Sequence, residues 1–83
     1  MSQREKLRQR IKNNPNNVSF DDLRKLLEAY GFTQRPQRSG SSHFWFFKEG
    51  CGLINVPYHR PVKQVYVRKV IQLLEDCGLI DED

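Results

Sequence analysis

Two histidines, two cysteines and a cluster of serines are the side chains of this sequence whose type and setting first suggest bond-making chemistry. His43 follows Ser39-Gly40-Ser41-Ser42 and stands directly before the aromatic run Phe44-Trp45-Phe46-Phe47, while His59 lies between Pro57 and Pro61. An imidazole with a pKa near 6.5 is matched to proton transfer at neutral pH and contributes about 10² to 10⁴-fold as a general acid or base. His43 therefore either performs such a transfer or closes a strand end as an ordinary polar residue. His59 either supplies a second proton-transfer group or shapes a turn by bonding to the backbone. Ser42 could donate a hydrogen bond to a phosphate oxygen or orient the neighbouring imidazole. A covalent role for Ser42 would need a base steered by an acid, and no such third member is evident in the sequence. Cys51 and Cys77 each precede a glycine and share no CxxC spacing, so in a reducing compartment no disulfide is expected. The two cysteines and two histidines lack the close pairings of structural zinc sites, and neither a metal nor a cofactor is expected.

The charge of the chain narrows the partner. The formal net charge is +4 over 83 residues, with the acids concentrated after Val70 and the bases before it. Between Gln34 and Val70 the only acid is Glu49, against Arg35, Arg38, Lys48, Arg60, Lys63, Arg68 and Lys69. Such a segment presents a positive field to a polyanion, which makes RNA the leading partner class, although Lys and Arg also merely solvate small surfaces. Arg35, Arg38, Lys48 and Lys69 are the candidate phosphate contacts. The longest apolar run, Phe44 to Phe47, is far short of the roughly 20 residues that cross a bilayer, and the N-terminus lacks a secretory hydrophobic stretch. A cytoplasmic protein with no membrane partner is expected.

The elements that must position these groups can be read in chain order. Ser2 and Glu5 form a capping-box pattern ahead of Leu7 and Ile11, which predicts a short helix that ends at Asn13-Asn14-Pro15-Asn16-Asn17. Ser19 has the character of an N-cap, with Val18 and Leu23 placed to staple across the entrance of a second helix. Phe20, Leu23, Leu26, Leu27 and Tyr30 form its apolar stripe, Gly31 supplies a left-handed C-cap, and Phe32 can fold back on Leu27. Residues 32–38 suit a strand that Pro36 confines to an edge or ends early. Residues 43–47 and 53–56 predict a hairpin about the turn Glu49-Gly50-Cys51-Gly52, and a last helix runs from about Val65 to Gly78 on Val67, Val70, Ile71 and Leu74.

The result is an α+β fold of order α-α-β-β-β-α, a three-stranded antiparallel sheet with its helices on one face. Residues 1–17 read as a helical extension and turn, 18–79 as the domain, and 80–83 as an acidic tail. Because strand side chains alternate, one of the parities Phe44/Phe46 and His43/Trp45/Phe47 must face away from the helices. Aromatic rings uncovered there would stack on unpaired bases, meet a protein partner, or simply cover a small core.

Gly31-Phe32, Ser39-Gly40-Ser41-Ser42-His43, the aromatic strand and Val56-Pro57-Tyr58-His59 occur in an order and spacing similar to those of HicA-type toxins. The resemblance covers roughly Val18 to Leu79. It implies a fold like that of double-stranded-RNA-binding domains, a toxin that cleaves messenger RNA, and a HicB-type antitoxin that neutralises it by direct binding. It also implies that His43, which matches the histidine of the family's Gly-Ser-His motif, is the catalytic residue. This sequence departs from that motif in carrying Ser41 where the glycine is expected, with Gly40 one residue earlier. If that position needs φ above zero, serine there costs about 1 kcal/mol relative to glycine. The competing readings are a non-catalytic RNA-binding module on the same basic sheet face and a protein-interaction domain built on the aromatic sheet and acidic tail.

Overall fold

The structure is a computed structural model that describes residues 3–35 and 43–80. Three helices, α1 (Gln3–Asn13), α2 (Phe20–Ala29) and α3 (Gln64–Asp76), accompany strands β1 (Thr33–Gln34), β2 (His43–Lys48) and β3 (Gly52–Pro57) in the expected order. The strands form one antiparallel sheet of order β1-β2-β3. This is the α+β architecture that the periodicity predicts.

Local chemistry sets each boundary. Ser19 caps α2 by accepting the Asp22 amide at 3.0 Å, and Val18 and Leu23, both buried, close the helix entrance. At the other end Gly31 takes φ +98°, its amide bonds to Glu28 O, and the Phe32 amide reaches back to Leu27 O at 3.0 Å. Those two bonds are a Schellman ending, which a residue with a Cβ would strain. The same pattern ends α3, where Gly78 at φ +76° bonds to Glu75 O and Leu79 to Leu74 O.

The sheet's inner face and the helices share one core. Phe46 and Val56 pack with Leu23, Leu26, Leu27 and Tyr30 of the α2 segment and with Val67, Val70 and Leu74 of α3. Ile11 of α1 is 2 % exposed and belongs to the same cluster, while Arg10 of α1 bridges to Asp22 at 3.2 Å. Burying one such side chain contributes about 1.5–3 kcal/mol, so each matters in a domain of this size. Phe20 adds a second aromatic layer, with ring centroids 4.8 Å from Phe44 and 5.2 Å from Tyr58.

Two expectations change. The first strand is shorter than residues 32–38: two residues pair with Phe47 and Phe46, after which the Arg35 amide makes one more bond to Trp45 O. Residues 36–42, with them Pro36, Arg38 and the Ser39-Gly40-Ser41-Ser42 stretch ahead of His43, lie outside the described residues, as do the Ser2 cap and the acidic residues 81–83. The cysteines also differ from expectation, because Cys51 and Cys77 are joined in a disulfide with Cα atoms 5.3 Å apart. The tight turn between β2 and β3 lies against the C-terminal cap of α3, and folding brings together two thiols that are 26 residues apart in sequence. Spacing along the chain carries no sign of that proximity. Among the described residues no helix is long and apolar enough to cross a membrane.

Candidate nucleic-acid interface

Alternation along β2 decides which aromatics are available. Phe46 points inward at 1 % exposure, whereas Trp45 stands outside at 39 %. His43, the first residue of β2, shares the outer parity with Trp45 and Phe47 and is exposed. Antiparallel register places Pro57 opposite His43, Asn55 opposite Trp45 and Leu53 opposite Phe47, which together make the open face of the hairpin. Helix α3 runs alongside and contributes Tyr66 and Lys69, one turn apart. His43, Trp45, Leu53 and Asn55 line a groove of about 400 Å³ with those two residues and Ile54. The Lys69 ammonium lies 5.4 Å from the centre of the Tyr66 ring, a cation–π contact that holds the charge at the groove wall.

The candidate residues do not all converge. Lys69 shares the groove with His43. Arg35 lies over the Phe47 ring at 4.6 Å, on the same open face but toward the other edge of the sheet. Lys48 ends β2 five residues from His43, about 17 Å along an extended strand, and its Nζ stands 2.8 Å from where a Gly31 Cβ would sit. A cation there also complements the C-terminal end of α2. Ser42 and Arg38 lie outside the described residues. His59 donates from Nδ1 to the Pro61 carbonyl at 2.9 Å, because a carbonyl can only accept. That bond fixes a tautomer in which Nε2 of the neutral ring is the accepting nitrogen.

Asn55 and Tyr66 are the groove residues that sequence reasoning missed. Asn55 is the one polar side chain in Leu53-Ile54-Asn55-Val56, and its position opposite Trp45 follows only from the hairpin register. Tyr66 and Lys69 share one face of α3 by their i, i+3 spacing, but nothing in that spacing says which strand they adjoin.

A larger groove of about 720 Å³ lies at the start of α2, between Phe20 and Tyr58. Its rim carries Asp21 and Asp22, and its arginine, Arg60, is engaged with the Tyr58 hydroxyl at 3.0 Å. The Asp21 carboxyl is held below its ordinary range by hydrogen bonds from Arg24 and then Lys25. The cations around that rim, Arg10, Arg24 and Lys25, are paired with its two carboxylates, whereas the smaller groove holds Lys69 beside His43 and is the better candidate.

The fold and its groove define a small α+β domain that carries a cationic, aromatic-lined cleft beside the open face of its sheet. The family model described as the HicA toxin of bacterial toxin-antitoxin systems matches residues 20–79, and the chain belongs to this family. Membership implies a cognate antitoxin as partner. No curated protein and no solved structure gives a significant match to the chain.

Proposed function

We propose that this toxin is a metal-independent endoribonuclease that cuts unpaired stretches of messenger RNA and is held in check by a HicB-type antitoxin. The observation that carries the reading is an exposed His43 at the mouth of a groove that also holds an ammonium and an outward tryptophan. RNA supplies its own nucleophile. His43 removes the proton from a ribose 2′-hydroxyl, the oxygen attacks the adjacent phosphorus in line, and the 5′-oxygen leaves with a proton from water. The products are a 2′,3′-cyclic phosphate and a 5′-hydroxyl. Lys69 offsets charge on the phosphate, and Arg35 on the same open face holds a more distant phosphate. Ser42 and Arg38 remain candidate phosphate contacts by residue type and charge, while Lys48, with its ammonium at Gly31, is not among the groove's cations.

The test is cleavage of a messenger RNA by purified protein in the presence of a chelator, alongside His43→Ala. Cleavage should fall about 10² to 10⁴-fold in the variant. Because His43 is exposed at a strand end, its melting temperature should stay within a few degrees of the parent. Equal cleavage by folded His43→Ala would remove the histidine from the mechanism. Tight, salt-sensitive RNA binding with no cleavage by the parent would favour the non-catalytic RNA-binding module on the same face.

A further inference from the structure

The groove beside His43 contains a polar atom that no described residue satisfies. Oδ1 of Asn55 is sealed from solvent and has no hydrogen-bond partner among the described residues. Buried acceptors are nearly always paired, with protein, water or ligand, and one left unpaired by the described residues at the wall of a groove is positioned to be paired by whatever enters that groove. Nothing in the packing of β3 requires an amide there, since its neighbours Leu53, Ile54 and Val56 are aliphatic. Opposite Asn55 stands Trp45, the only tryptophan of the chain and 39 % exposed. Lys69 supplies a cation on the adjoining wall.

From this arrangement we infer that Asn55 and Trp45 form a nucleobase subsite that seats one unpaired adenine beside His43. The inference rests on the ribonuclease reading and gives it a substrate preference. An aromatic ring stacks any base with little discrimination, so Trp45 supplies affinity. The amide separates bases by edge. With Oδ1 toward the amino group, its donor and acceptor pair with an exocyclic amine beside a bare ring nitrogen, the edge of adenine and of cytosine but not of uracil. The larger purine stack on Trp45 favours adenine of the two. The sp² torsion of an asparagine amide is broad, and a small rotation turns Oδ1 from its sealed position toward a donor entering the groove. An unpaired base presents that edge, whereas a base inside an A-form helix does not, so the subsite selects single-stranded RNA. A protein segment is the other conceivable occupant. The unbalanced positive charge of residues 34–70 and the amide's match to a base edge favour the nucleic acid.

The experiment uses the full chain carrying His43→Ala, so that binding is read without cleavage, and follows Trp45 emission during titration with oligoadenylate, oligouridylate and oligocytidylate. Saturable quenching is expected, with oligoadenylate bound about tenfold or more tightly than oligouridylate. Adding Asn55→Ala should bring the oligomers to within about threefold of one another, with Asn55→Thr as a strand-compatible second variant should alanine unfold the protein. Adding Lys69→Ala should instead weaken all three alike and lower the salt slope by about 1. A parent with no preference for adenine, or a preference that survives loss of the Asn55 amide, would overturn the subsite. So would quenching by the antitoxin but by none of the RNAs. If the protein with His43 intact cuts RNA without an Asn55-dependent preference, the ribonuclease reading stands and the subsite falls. If it binds adenine as described but never cuts, the subsite stands and the ribonuclease reading falls.

Discussion

Reducing the Cys51–Cys77 bond should cost this domain a large part of its stability. The bond closes a loop of 26 residues that contains β3 and α3. On the chain-entropy account such a cross-link removes about 12 cal/mol/K from the unfolded ensemble, or about 3.5 kcal/mol at 25 °C. Unfolding entropy near the melting point is about 2.1 cal/mol/K per residue, which for a chain of this length is about 0.17 kcal/mol/K. The expected drop on reduction is therefore about 20 °C. Differential scanning calorimetry of oxidised and dithiothreitol-treated protein measures it directly, and mass spectrometry after alkylation establishes the thiol state of each sample. The Cys51→Ser, Cys77→Ser double variant should melt with the reduced protein or slightly below it, because Cys51 also packs against the core. Oxidised and reduced samples melting within about 5 °C of each other would refute the entropy argument, and alkylation of both thiols before any reductant is added would refute the bond itself.

Three further outcomes follow from the helix ends. Gly31→Ala, at φ +98° and with its new Cβ meeting the Lys48 ammonium, should lose about 1–2 kcal/mol; chemical denaturation with an unchanged m-value would show it. Ser19→Ala removes the cap that accepts the Asp22 amide and should cost about 1 kcal/mol in the same assay. Asp21 has its pKa lowered in the folded state by Arg24 and Lys25, so its contribution is present at neutral pH and fades as pH falls through that lowered value. Asp21→Asn should therefore melt slightly below the parent at pH 7, with the gap closing at the acid end of a pH series.

Much of the scaffold was legible because its signals are local. Ser19, Val18 and Leu23 define the start of α2, and Gly31 with Phe32 defines its end, through bonds between residues a few positions apart. The hairpin turn at 49–52 is equally local. The site was legible in part. His43 became a candidate through the resemblance of its Ser-His setting before an aromatic strand, and the structure places it in one groove with Lys69, a base from the basic segment 34–70. What escaped depends on contacts between distant segments. Asn55 meets Trp45 only through hairpin register, Tyr66 and Lys69 meet the strands only through the docking of α3, and Cys51 meets Cys77 only once a turn and a helix end are packed. Lys48 shows the converse, since a basic residue in a basic segment stands a whole strand away from the imidazole.

The first helix carries a consequence for how this toxin can be handled. Ile11 plugs the same interior as Leu26 and Phe46, and Arg10 clasps the start of α2, although the stretch matched by the family begins only at Phe20. A fragment trimmed to the matched boundary would open an oily pit beneath α2 and strip Val18 from the doorway of that helix. The leading residues therefore function as a stopper for the hydrophobic interior, and removing them for expression or crystallisation would sacrifice solubility.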